Sequence, residues 1–176
     1  MKKIAVAGLI GYETAKALYE ENREALEARF PKFWLKKFLE AGPKAEELMN
    51  EQNREVENGA VIEITEGGLF GALWEACEQQ KAEGCANGCE VWIENVPILQ
   101  EVVEISELFD INPYEASSKG SFLIVEEEEK IRNHSGQLTI IGTMQKKKDR
   151  VVVMKDKETK RFLTPPERQA KDLANR

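Results

Sequence analysis

"EITEGGLFGALWEACE", residues 63–78, joins the end of one short apolar run to a long amphipathic one through a pair of glycines, Gly67 and Gly68. Phe70, Leu73, Trp74 and Cys77 recur at the three- and four-residue spacing that places side chains on one face of a helix. The residues just before, "AVIEI" from Ala60, alternate as a strand does. The stretch therefore reads as strand, tight turn and a helix over about 69–83. A glycine pair at such a junction has two uses. It lets backbone N–H groups approach a phosphate at the positive end of the helix, with Thr65 adding a hydroxyl, or it only shapes the turn. Glu63 and Glu66 bear on that choice. A carboxylate 4 Å from a phosphate is repelled by about 4 kcal/mol per charge pair at an effective dielectric of about 20. A metal held by Glu63 and Glu66 would relieve the repulsion. Alternatively, Glu66 is a first-turn acid that complements the helix dipole.

Outward from this stretch the same alternation of strands and helices continues. "KIAVA" (3–7) reads as a strand, followed by the turn "GLIG" (8–11) and a helix from Tyr12 with a broken apolar face. "KFWLKKFLEAG" is a second helix, with Gly42-Pro43 as its stop and a polar helical connector to Gly59. "EVWIENVPI" is a strand before Pro97, and Val102, Ile105, Leu108 and Phe109 form the stripe of the next helix. Asn112 is a helix N-cap with Pro113 at the first helical position. "GSFLIV" is a strand, "EEEEKIRNHSG" a short acidic helix or turn with a solvated start, "QLTIIG" a strand, and "DRVVVMKDKETKRFLTPP" a hairpin around 156–158. The pattern indicates an α/β or α+β layer fold in one domain over 1–166, with 167–176 a polar tail.

Bulk composition excludes several classes. The chain has 176 residues, 41% hydrophobic and 32% charged, with a formal net charge of −7. That sign argues against nucleic acid, whose binding relies on Lys and Arg, and against an anionic membrane surface. No apolar run approaches the ~18 residues of a membrane span. "MKKIAVAGLIGYE" mimics a leader peptide but runs into Glu13 without a small-residue cleavage pattern, and reads as a strand. Three cysteines, Cys77, Cys85 and Cys89, fit a reducing cytoplasm better than a disulfide framework. Cys85 and Cys89 have too few partners for zinc, and Cys77 falls on the apolar stripe as a small hydrophobe.

The order of the segments is more specific than any one of them. "VAGLIGYETAKAL", then "EITEGGLFGALWEACE", then "VWIENVPILQEVVEISELFDINPY", then "GSFLIV" and "IIG" together resemble the C-terminal domain of the AIR synthase superfamily over residues 3–165. That superfamily includes AIR synthase, selenophosphate synthetase, thiamine-phosphate kinase and the hydrogenase maturation enzyme that dehydrates a carbamoyl group. The "TEGGLFGALWE" wording is most similar to the hydrogenase-maturation branch. The resemblance implies an α+β fold of three α/β/α layers with a mixed sheet. It also implies that the ATP- and magnesium-binding domain of full-length members is absent from this chain, which then stands as half an enzyme.

By that resemblance the cofactors would be ATP or ADP with magnesium. The candidate phosphate-binding residues are Gly8 and Gly11 in the first turn, Thr65, Gly67 and Gly68 in the second, and Lys119 with Gly120 in "SSKGS", with Glu63 and Glu66 as candidate metal ligands. Each turn is equally well explained as backbone geometry alone. The family's nucleophiles are missing: "ERQAKDLANR" ends without the cysteine that carries a carbamoyl group, and no Ser-His-Asp set forms around His134. No catalytic residue is expected. The expected function is a cytoplasmic, hydrogenase-maturation-like domain with vestigial phosphate or nucleotide binding and no independent catalysis. The alternatives are a scaffold or oligomerisation module, or a half-enzyme completed by a partner chain. Partners would be a second copy or another protein and a phosphorylated small molecule. Trp34, Phe33 and Phe38 are candidates for the protein-facing surface, and core packing explains them at least as well.

Overall fold

A computed structural model describes residues 1–52, 60–133 and 138–166, with side chains for all of these except 43–52. Among the described residues seven strands form one mixed sheet: β1 (Lys3–Ala7), β2 (Ala60–Glu63), β3 (Gly88–Trp92), β4 (Phe122–Glu126), β5 (Thr139–Gln145), β6 (Arg150–Val153) and β7 (Lys160–Phe162). Their order across the sheet is β2-β4-β1-β5-β3-β6-β7. Every pairing is antiparallel except β3 with β6. The fold is α+β.

The two-residue period of the strands sorts their side chains. Ile4, Val6, Ile62, Leu123, Val125, Ile141, Cys89, Val91 and Val152 face one way and meet α4 (Gly68–Ala82), which contributes Leu69, Phe70, Leu73, Ala76 and Cys77. The opposite side of β1 presents Lys3, Ala5 and Ala7, with the two alanines buried. Small residues there let the long α3 (Lys32–Gln52) approach β1. A second cluster lies among the helices of this layer: Tyr12, Ala15 and Tyr19 from α1 (Tyr12–Glu21), Leu26 from α2 (Arg23–Arg29), Leu35 and Phe38 from α3, and Val102 and Ile105 from α5 (Gln100–Leu108).

Four local expectations change. The helix expected to stop at Gly42-Pro43 continues through both residues to Gln52. Proline lacks the N–H that would bond the carbonyl four residues back, at Leu39. The Tyr12 hydroxyl lies at this turn, donating to Phe38 O at 3.0 Å with Leu39 O at 3.4 Å, and it rests so close to Gly42 that a Cβ would fall 2.5 Å from its oxygen.

Asn112 does cap, with its Oδ1 accepting from Tyr114 N–H at 3.0 Å, but only one turn forms. Glu115 and Ala116 N–H both return to Asn112 O, and the chain then runs back to the sheet. Leu108 is exposed rather than on the buried stripe. Glu126 closes β4 and is buried, where its Oε1 accepts from Glu127 N–H at 2.8 Å; only the three acids after it are solvated, ahead of and within α6 (Glu128–Arg132). The connector stretch 53–59, His134 and the tail 167–176 lie outside the described residues.

Candidate functional site

Each glycine-containing turn sits where an element leaves or enters the sheet, and three of them meet at one end of it. The 8–11 turn is bound to the 118–121 segment twice: Gly11 N–H donates to Ser118 Oγ at 2.6 Å, and Ser121 Oγ–H to Leu9 O at 3.2 Å. The 63–68 turn reaches the same segment, with Ile64 N–H on Ser121 O (2.9 Å) and Ser118 N–H on Ile64 O (3.0 Å). Thr14 Oγ1–H closes onto Ser117 O at 2.7 Å. The turns that carry Gly8, Gly11, Thr65, Gly67, Gly68, Lys119 and Gly120 are thus joined through the 117–121 segment. Ser117, Ser118 and Ser121 join these loops, and their role followed from nothing in the sequence except a polar run between two elements.

The electrostatics of this corner are acidic. Lys119 N–H donates to Glu13 Oε2 and Gly120 N–H to Glu63 Oε1, both at 3.3 Å. Thr65, Glu63, Glu66 and Lys119 are all exposed. Among the described residues no three His, Cys, Asp or Glu side chains gather in a way that could hold a metal ion.

The start of α4 is largely committed to the protein itself. Gly68 N–H donates to Thr65 O at 3.0 Å and Phe70 N–H to Tyr114 O at 3.2 Å. Gly67 and Gly68 both have positive φ, at 88° and 64°. A Cβ on Gly68 would lie 2.5 to 2.7 Å from the backbone of Tyr114, Glu115 and Ala116. Gly68 is a packing glycine that lets the 112–117 turn lie on the helix start. At Gly67 the nearest atom to an added Cβ is Gly71 Cα at 3.4 Å, so its outer side is open.

The 112–117 turn is held from the other side by aromatic and ionic contacts. The Tyr114 and Phe70 rings stack with centroids 5.8 Å apart, Arg161 lies 4.9 Å over Phe70, and its Nη2 pairs with Glu115. Burial pushes the Tyr114 phenol above its ordinary value.

The cysteines divide by depth. Cys77 and Cys89 are buried and Cys85 is exposed. Cys77 and Cys89 share a thiol–thiol hydrogen bond; it raises the Cys89 thiol, with burial adding to the rise, and lowers Cys77.

A seven-stranded mixed sheet with one helix on its apolar face and a helical layer on the other is an AIR-synthase-like α+β fold, shared with solved structures of hydrogenase maturation and thiamine-monophosphate kinase proteins. The hydrogenase maturation protein HypE in complex with ATP superposes with a TM-score of 0.67 at 17% identity, over 93% of this chain and 50% of that one. HypE in a HypE–HypF complex gives 0.64 at 17% identity, over 94% and 53%. The AaThiL protein complexed with AMPPCP and TMP gives 0.54 at 18% identity, over 90% and 48%. This chain spans about half the length of these structures. Its sequence matches no family profile and no curated protein. No helix among the described residues is long and apolar enough to cross a membrane.

Proposed function

We propose that this chain is a hydrogenase-maturation-like, AIR-synthase-related domain that forms one wall of a phosphate- or nucleotide-binding site and performs no chemistry alone. The observation that carries this reading is the meeting of the Gly8–Gly11, Thr65–Gly68 and Lys119–Gly120 turns at one end of the sheet. The ATP and AMPPCP bound in two structures of the same fold support it.

The residues present do not make a full phosphate cradle. Two amides at the start of α4 are bonded to carbonyls, two loop amides face carboxylates, and Lys119 is the one cation on these turns. A phosphate would therefore need magnesium at Glu63 and Glu66, or donors from a second chain. The half-length match and the HypE–HypF complex support a second protein or a second copy as that supplier.

Calorimetric titration of ATP with magnesium into the chain tests the reading. Gly67→Asn suits the test because asparagine tolerates positive φ, the added side chain meets only ordinary contacts, and it would stand before the helix start. Binding lost in Gly67→Asn and weakened in Lys119→Ala supports the site. Hydrolysis of ATP by the isolated chain would overturn the non-catalytic half of the proposal.

A second reading, a scaffold or oligomerisation module, is favoured by one feature. Phe33 is 76% exposed at the start of α3, beside Phe30 and Trp34, whose rings stack at 4.1 Å. Of the three aromatic residues for which surface and core were both open, Phe38 is fully buried against Tyr12 and Tyr19. A flat response to ATP, ADP and inorganic phosphate, with a stable dimer by light scattering that Phe33→Ser dissociates, would select this reading.

A further inference from the structure

A concavity lies away from the glycine turns. A cavity of about 450 Å³ opens between the later part of α4 and the β6–β7 edge, with Trp74, Glu78, Lys81, Lys148, Arg150 and Phe162 among its walls. Glu78 is ten residues along α4 from Gly68, which at about 1.5 Å per residue sets the two regions about 15 Å apart.

Arg150 distinguishes this cavity from a surface dent. Its side chain is 10% exposed, and its Nη2 meets Glu78 Oε1 at 2.7 Å. The guanidinium carbon lies 4.3 Å over the Trp74 ring, and Nε donates to Asn87 O at 3.4 Å. Nη1 is buried and has no hydrogen-bond partner. A buried donor left unmet is unfavourable, more so on a charged group. The guanidinium fork is shaped to hold a carboxylate or phosphate through two nitrogens at once, and Glu78 engages only one of them.

Glu78 is also replaceable. Its side chain is about half exposed, so it can turn to solvent when another anion takes its position. Lys81 and Lys148 stand at the same walls, so three cations face two carboxylates, Glu78 and Asp149, in a chain whose net charge is −7. Trp74 and Phe162 supply flat apolar surface, and the volume falls in the range of about 300–1,000 Å³ that suits small organic ligands.

We propose that this cavity binds a small aromatic anion, a carboxylate or phosphate monoester on a flat ring. The anion takes both Arg150 nitrogens in place of Glu78, and the ring lies against Phe162 and the open part of Trp74. The site is independent of any ligand at the glycine turns.

Phenyl phosphate, benzoate, inorganic phosphate and benzyl alcohol, titrated separately into the full chain at low ionic strength, test this by calorimetry. An aryl anion is expected to bind at least tenfold more tightly than inorganic phosphate or the alcohol, and the tighter of the two aryl anions identifies the head group. Glu78→Gln is expected to tighten that binding severalfold. Arg150→Lys should weaken it tenfold or more. Lys148→Met, at an exposed position, should weaken it severalfold with no change in Tm. ATP with magnesium should leave it unaltered, which separates this site from the glycine turns. No binding of either aryl anion to the native chain, or binding unaffected by Arg150→Lys and Lys148→Met, would overturn the proposal.

Discussion

The Tyr12 hydroxyl lies 3.4 Å from the carbonyl oxygen of Leu39, the backbone group that Pro43 leaves without its helical donor. The hydroxyl donates more closely to Phe38 O, at 3.0 Å, so one side chain at the start of α1 meets α3 at the turn that holds Gly42 and Pro43. It also ties the two helices beside Phe38, whose ring centroid is 5.1 Å from that of Tyr12.

Tyr12→Phe removes the hydroxyl and leaves the ring in the cluster. A buried acceptor without its partner costs about 1–3 kcal/mol, so denaturant unfolding should show a loss of that size. Amide exchange in α3 after Ala41 should rise more than exchange in α4. A uniform rise across both helices would mean that Tyr12 serves the core in general and not this helix.

Gly68 and its neighbour should respond in opposite ways. Gly68→Ala forces a methyl group into the backbone of 114–116 at a positive φ, and is expected to unfold the chain or lower its stability by several times the about 1 kcal/mol typical of a point substitution. Gly67→Asn should stay within about 1 kcal/mol of the native chain. Loss of ligand binding in a Gly68 variant would therefore report on packing, and thermal melts of the two variants side by side check this.

Thiol labelling should count depth. Cys85 is exposed, while Cys77 and Cys89 are buried against each other, with the Cys89 thiol held well above its ordinary value by that hydrogen bond and by burial. The reactive form of a thiol is the thiolate. Native protein should react quickly with one equivalent of iodoacetamide, at Cys85 by peptide mapping, and with all three only in denaturant.

The β6–β7 turn should loosen in acid. Asp156 Oδ1 accepts from Glu158 N–H at 3.0 Å and Thr159 N–H at 2.7 Å. The Thr159 hydroxyl bond first, then these two amides, hold the carboxyl below its usual value. A depressed pKa means that the contribution is present above the unfolded-state value, about 3.9, and is lost as pH falls through the lower folded value. The Glu158 and Thr159 amide resonances should shift and broaden below about pH 4, while those of β1 hold. Asp156→Asn should abolish that titration.

The layered α+β architecture was legible because each element carries its own periodicity. Phe70, Leu73 and Cys77 stripe α4 whatever lies opposite, and "KIAVA" is apolar from Ile4 to Ala7. Local chemistry misled where distant groups came to bear on it. Pro43 reads as a helix stop by itself, yet α3 runs through it where the Tyr12 hydroxyl meets the carbonyls of Phe38 and Leu39. Asn112 is a cap by itself, but its helix cannot grow because Tyr114 O is taken by Phe70 N–H and the chain must return to β4.

The sequence by itself determined the strands, the helices and the turns that must bend, since these follow from side-chain period and backbone freedom within a few residues. Only the tertiary structure decided that the 8–11, 64–68 and 117–121 turns share one end of the sheet, and that Arg150 is buried with a free nitrogen beside Trp74. Those facts depend on strand order, which places β1 between β4 and β5 and sends β6 to the far side of β3. Strand order is set by how the whole apolar surface closes over α4, and no window of sequence contains it.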